Sequence, residues 1–206
     1  MKTIVYIDGQ NFLYKIAEIL INANLISDKQ DIVSLNIAEL LSPFFVKDET
    51  EIRYYGVRKI SHGSNPDAEI AEKAKRFSDN LRKFKNYITK DGIIYTPKGN
   101  LKARTGEPCK QCGYIDRHFQ EKGVDVGIAI DLVRDVMLKK CKNVALFSSD
   151  TDLLPALQIA KQENVRVTYV AFAGRTTISL SKVADKVIII KNKAVCKAYV
   201  NSLNSK

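Results

Sequence analysis

Short apolar runs alternate along the chain with longer stretches in which apolar residues return every three or four positions. The runs at 3–7, 51–59, 144–147 and 165–171, and KVIII from Lys186, have the length and composition of strands. Residues 87–96 are read as a further strand. The helical periods cover 12–21, 32–45, 67–84, 123–140 and 153–161, with a shorter one capped by Thr176 or Thr177 and running to Val183. The predicted order is β-α-α-β-α-β-loop-α-β-α-β-α-β. Such alternation calls for an α/β fold, a three-layer α/β/α sandwich whose central sheet is mostly parallel.

Residues 97–122 interrupt the pattern. PKGNLKARTGEPCKQCGYIDRHFQEK has little periodicity and is basic, and so long a connection inside a domain is often functional. It is read as an inserted loop within a domain spanning 1–191. Residues 192–206 follow as a polar, basic tail with room for a short helix.

Composition bounds the class of protein. With 206 residues, 45% apolar and 27% charged, the chain suits one globular domain. No apolar run reaches the roughly 18 residues of a membrane span. The first run contains Asp8 and is a strand rather than a signal peptide, and four cysteines without a paired framework suit a reducing compartment. A cytoplasmic location is expected. The net charge of +10 suits a polyanionic partner. Lys75, Arg76, Arg82, Lys83 and Lys85 make the 67–84 helix and its end basic, as a solvated face or as a phosphate-contacting one.

Against this basic background the aspartates gather at strand ends. Asp8 closes the first strand, with Asn11 three residues on. Asp150 and Asp152 follow the 144–147 strand, after Ser148 and Ser149, and Asp125 opens the helix leading into that strand. Each has an ordinary reading as a helix cap. If the first strand and the 144–147 strand are neighbours, however, these acids meet at one edge of the sheet, where α/β folds bind ligands. Grouped carboxylates repel unless a cation or proton lies between them. Oxygen-only ligands suit Mg2+ or Mn2+, which promote attack at phosphorus. Asp131, six residues after Asp125, lies about 240° round the helix and does not share its face.

Cys109 and Cys112 form a CxxC, half of a typical zinc site, and His118 lies six residues on. A structural Zn2+ held by Cys109, Cys112 and His118, with His62 able to complete a Cys2His2 set though no spacing demands it, competes with two plainer readings, an unpaired thiol pair and a redox pair.

IDGQN at 7–11, KGVDVGIAID at 122–131, ALFSSDTDLLPALQIAKQENVRVTYVA at 145–171 and the spaced Thr177, Leu180, Ala184 and Asp185 resemble the NYN domain, of the PIN-like nuclease group, in its LabA-like (DUF88) branch. The resemblance covers nearly the whole chain in order. It departs at Ser149, often Gly in that family, and at Thr177, often Ser, and it says little about the CxxC segment. It implies a Mg2+- or Mn2+-dependent ribonuclease with a PIN-like sheet. In that reading Asp8, Asp125, Asp150 and Asp152 are metal-holding catalytic acids and Asp131 a secondary one. Asn11, Lys122, Ser148, Ser149, Arg175 and Thr177 are the candidate substrate contacts. RNA is the expected partner, with pairing of two copies a further expectation. A catalytically silent RNA-binding adaptor is the alternative. A haloacid-dehalogenase-like phosphatase would need a second Asp two residues after Asp8, where Gln10 stands, and a Toprim-like enzyme would need a Glu at an early strand end.

Overall fold

The computed structural model describes residues 2–27, 35–46, 49–61 and 68–204. Its middle strand is β1 (Lys2–Asp8), flanked on both sides by parallel partners, β2 (Thr50–Ser61) and β5 (Cys141–Phe147). The remaining strands are β3 (Ile94–Pro108), β4 (Ile115–Lys122), β6 (Arg166–Phe172) and β7 (Lys186–Ile190). They form one seven-stranded sheet in the order β4-β3-β2-β1-β5-β6-β7, with only the β3–β4 pair antiparallel. A strand covered on both faces must be apolar at every position. Ile4, Val5, Tyr6 and Ile7 are accordingly all buried, Val5 and Ile7 into one core and Ile4 and Tyr6 into the other.

The first core is closed by α1 (Gly9–Asn22), α2 (Ile37–Leu41), α3 (Ala68–Lys90) and α7 (Asn192–Asn204). The second is closed by α4 (Val124–Met137), α5 (Leu154–Gln162) and α6 (Ile178–Val183). This is the expected three-layer α/β/α sandwich. The neighbouring of β1 and β5, on which convergence of the acids depends, is present in the sheet.

Three segments differ from the sequence reading. Residues 87–90 continue α3 instead of opening a strand. Phe84 and Ile88 are both buried one turn apart, and the helix stops only at Gly92, whose φ of +80° suits glycine. There Gly92 N–H donates to Thr89 O and Ile93 N–H to Ile88 O. Residues 97–122 are not a loop. They form most of a β-hairpin that extends the sheet edge, pairing from Asn100↔Lys122 to Pro108↔Ile115. The last described β2–β3 pair is Ser61↔Lys102, and among the described residues no third strand lies beside the outer half of the hairpin. Such a two-stranded ribbon needs no alternating apolar face, and none is present in the sequence. The tail becomes α7, which buries Val195, Ala198 and Tyr199 in the first core. The expected loop at 62–66, Asp67 and the start of the 32–45 helix lie outside the described residues.

Candidate functional site

β1 ends on Asp8, and the chain turns at once into α1. Gly9 permits that turn, because a β-carbon there would lie 2.3 Å from the Tyr55 carbonyl oxygen and 2.4 Å from the Tyr54 ring. The Tyr54 hydroxyl donates to Gly9 O at 2.8 Å. Asp8 is buried and caps α1, its Oδ1 accepting from Asn11 N–H at 3.1 Å. Across the sheet, β5 runs out into Ser148. The Ser148 hydroxyl donates to Asp8 Oδ2 at 2.8 Å and accepts from Asp150 N–H at 3.1 Å. Asp150 in turn caps a 3-10 turn (Thr151–Leu153), its Oδ1 accepting from Asp152 N–H at 2.9 Å. One hydroxyl therefore ties the ends of both strands together.

Asn11 reinforces the same junction. Its Nδ2 donates to Ser149 Oγ at 2.7 Å, and the Thr177 hydroxyl donates to Ser149 O at 3.2 Å. Asn11 Oδ1 is buried with no hydrogen-bond partner among the described residues. Buried polar atoms normally have one, so this oxygen is a free acceptor beside Asp8.

Asp125 arrives from the other side of the sheet edge. Gly123, at φ +90°, turns β4 into α4 and puts Asp125 in the first helical turn, where the helix dipole favours a carboxylate. The helix start is pressed against β3. A β-carbon on Gly127 would lie 2.5 Å from Lys98 Cβ, and one on Gly99 2.4 Å from Val124 Cγ2.

The electrostatics of this edge are those of crowded acids. Burial raises the Asp8 pKa, the Asn11 and Ser148 hydrogen bonds oppose the rise, and the charges of Asp125 and Asp150 add to it. Burial also raises that of Asp125, with Asp150 and Asp152 contributing in the same direction. A further acid, not singled out by the sequence, belongs to the group. Glu121, next to last in β4, is pushed up to about 7, first by burial and then by Asp8 and Asp125. The same edge includes a cation that sequence reasoning missed. Lys15, one turn after Asn11, is half-buried, and burial and Arg175 lower its pKa while Asp8 and Glu18 raise it. Arg175 is exposed and pairs with Glu18. The available sequence signal for Lys15 was its spacing, four residues from Asn11 on one helical face; for Glu121 there was none.

The other predicted residues divide. Asp152 is exposed at the rim of the cluster, and Lys122 is exposed at the end of β4. Ser148 is only 3% exposed and serves as a strut between acids rather than as an open contact. Asp131 stands in a separate network. It is buried, accepts from the Tyr55 hydroxyl at 3.1 Å, and pairs with Lys98 and Arg134 at 3.0 Å each. Cys109 and Cys112 are exposed at the hairpin tip, and His118 Nδ1 lies 2.9 Å from Asp116 on the ribbon below.

The acid cluster suits a hard divalent cation by donor type: carboxylate oxygens, Asn11 Oδ1 and, among the described residues, no sulfur or imidazole. Among the described residues, no three His, Cys, Asp or Glu side chains stand together in a group that could hold a metal ion. Mg2+ keeps several of its waters and needs only one or two protein carboxylates, so an open set of acids is compatible with it.

A basic groove of about 560 Å3 lies between β2 and α3, lined among others by Arg58, Lys75, Arg82 and Lys85. Lys85 sits over the Tyr95 ring at 4.3 Å. Asp8 is in register with Tyr55, so Val57 and Arg58 continue β2 beyond the acid edge and lead into this groove.

Comparison with known proteins fits this architecture. The family model described as the NYN domain matches residues 2–191. No curated protein matches the chain. A crystal structure of a protein of unknown function from Vibrio parahaemolyticus is similar with a TM-score of 0.54 and 18% identity, over 92% of each chain, a likeness of fold. A hydrolase from Pseudomonas syringae aligns over 98% of each chain, but its TM-score of 0.25 and 10% identity carry no argument. The match over 2–191 takes in both strand-end acids and the helix bearing Asp125, and the chain belongs to the NYN domain family.

Proposed function

We propose that the protein is a Mg2+- or Mn2+-dependent endoribonuclease of the LabA-like branch, acting on RNA in the cytoplasm. The observation that carries this reading is the gathering of Asp8, Glu121, Asp125 and Asp150 at one sheet edge of a +10 protein, where the first three have their pKa raised first by burial and then by the charge of neighbouring acids. Asp8, Asp125 and Asp150 would hold the cation, with Asn11 Oδ1 as a neutral oxygen donor and Asp152 at the rim. A bound divalent cation would supply Lewis acidity toward a phosphoryl oxygen and a lowered pKa for water.

The chain's own residues do the rest. Ser148 fixes the spacing of Asp8 and Asp150 through its two hydrogen bonds. Lys15 and Arg175 border the acids and pair with phosphate oxygens of the strand being cut. Glu121 exchanges a proton near neutral pH and accepts it from the attacking water. The basic groove leading from β2 to α3 holds the flanking backbone. In-line attack leaves a 3′-hydroxyl and a 5′-phosphate.

The test is cleavage of end-labelled RNA and DNA oligonucleotides by the full chain with Mg2+, Mn2+ or EDTA, with analysis of the product ends. Metal-dependent cutting of RNA to 5′-phosphate ends is expected. RNA that is bound but never cut under any metal would replace this reading with the adaptor one.

A further inference from the structure

The tip of the β3–β4 hairpin takes no part in the acid site, yet it is built with care. Cys109 and Cys112 are free, exposed thiols. The turn between them is closed by Cys109 N–H donating to Tyr114 O and Gly113 N–H donating to Cys109 O, both at 2.8 Å. Gly113 has φ +70°, a conformation side chains rarely adopt. The turn brings Gln111 and Cys112 close, and their backbone N–H groups, with the Cys112 side chain, lower the Cys109 thiol pKa. Amide donors around a sulfur favour the thiolate, the form that ligates metals. Two cysteines on one short turn are the two-ligand half of a tetrahedral site.

The other half is not on the same chain among the described residues. Among them, no third His, Cys, Asp or Glu is grouped with the Cys109–Cys112 pair. His118 is engaged by Asp116 and stands opposite Arg104, three residues and about 10 Å down the ribbon from Ile115. Cys141 is buried in β5, and Cys196 lies in α7 against the first core. A structural Zn2+ takes four ligands, so among the described residues each tip is two short.

We infer that a second copy of this chain supplies them: two hairpin tips meet around one Zn2+ in an all-thiolate site, each giving Cys109 and Cys112, and so join two chains. Four thiolates around one Zn2+ leave two excess negative charges, and each tip brings one Lys110 ammonium beside its cysteines to offset them. Tyr114, 66% exposed next to the pair, offers apolar surface for the two tips to share. The site depends on nothing in the acid cluster.

The experiment uses the full chain, reduced and stripped of metal, titrated with Zn2+ alone or Co2+ alone and followed by native mass spectrometry and light scattering. The expected result is a dimer holding one metal per two chains, with the visible bands of tetrahedral cobalt–thiolate saturating at that ratio. The C109S/C112S double variant, altered only at exposed positions, should keep the wild-type circular dichroism and lose both the bands and the metal-linked dimer. One Zn2+ per monomer, absence of a metal-linked dimer in the wild type, or a dimer that persists in the double variant would each overturn the inference.

Discussion

Helix α4 carries two sets of aspartates built in opposite ways. At its start, Asp125 faces other acids, and burial together with their charges holds its carboxyl and that of Asp8 above the ordinary range. Further along, Asp131 and Asp135 point toward β1 and β2 and are surrounded by counter-charges. Asp135 is fully buried. Burial works against its charge, but Arg53, the Tyr6 hydroxyl at 3.0 Å and Lys140 at 3.2 Å outweigh it, and its pKa is lowered. One set is neutralised from within; the other is held by hydroxyl and amide donors that fix geometry and cancel little charge. Acids of the second kind spend fold stability on a cation or proton that comes from outside.

The largest expected effect is on the paired set. Asp135→Ala takes the buried carboxylate from Lys140 and leaves Arg53 only Glu51, and should cost about 3–5 kcal/mol of stability, read by urea unfolding. Cleavage per folded molecule should be unaffected. Next is the open set. Asp150→Asn should lower metal-dependent cleavage by about 100–1,000-fold while the melting temperature stays level or rises, since a like charge is removed. Retained activity in that variant would remove Asp150 from the site. Ser148→Ala comes third. It breaks the link between Asp8 and Asp150, and a loss of about 10–100-fold in activity or metal affinity is expected. Activity close to wild type would show that the acids are positioned without it.

The smallest effect is on pH dependence, and its sign differs between the sets. Glu121 binds its proton more tightly in the folded state, so its contribution to stability falls as pH rises from about 4.5 to about 7. The Asp135 carboxyl behaves in reverse: its contribution is present above the ordinary carboxyl range and lost as pH falls through its lowered value. Glu121→Gln should flatten the decline between about pH 4.5 and 7 by a few degrees of melting temperature, on the order of 1 kcal/mol. Added Mn2+ should stabilise the wild type more at pH 7.5 than at pH 5, because protons compete for the same oxygens.

Much of this comparison was legible in the sequence, and the reasons are local. An apolar run, an acid and a helix period in succession mark Asp8 and Asp150 as strand-end residues, and parallel topology puts such ends on one edge. The angular offset of Asp131 from Asp125 follows from helix geometry alone. What escaped depends on contacts between distant segments. Glu121 sits in a hairpin whose ladder leaves no alternating apolar face, so neither its strand nor its position was visible. The extension of α3 to Lys90 rests on Ile88 and Ile93 packing in one core around the Gly92 turn. The final helix shows a modest apolar stripe, and its burial comes from packing on α1 and α2. The strut role of Ser148 required knowing that β1 and β5 lie side by side.

The most direct test of the difference between the two sets is Mn2+ binding, followed by electron paramagnetic resonance, in wild type, Asp150→Asn and Asp131→Asn, each verified as folded by circular dichroism. Wild type and Asp131→Asn should bind Mn2+ alike, and Asp150→Asn should bind it at least about 10-fold more weakly. Equal loss in both variants, or no binding by the wild type, would contradict the division of the acids into an open set and a neutralised one.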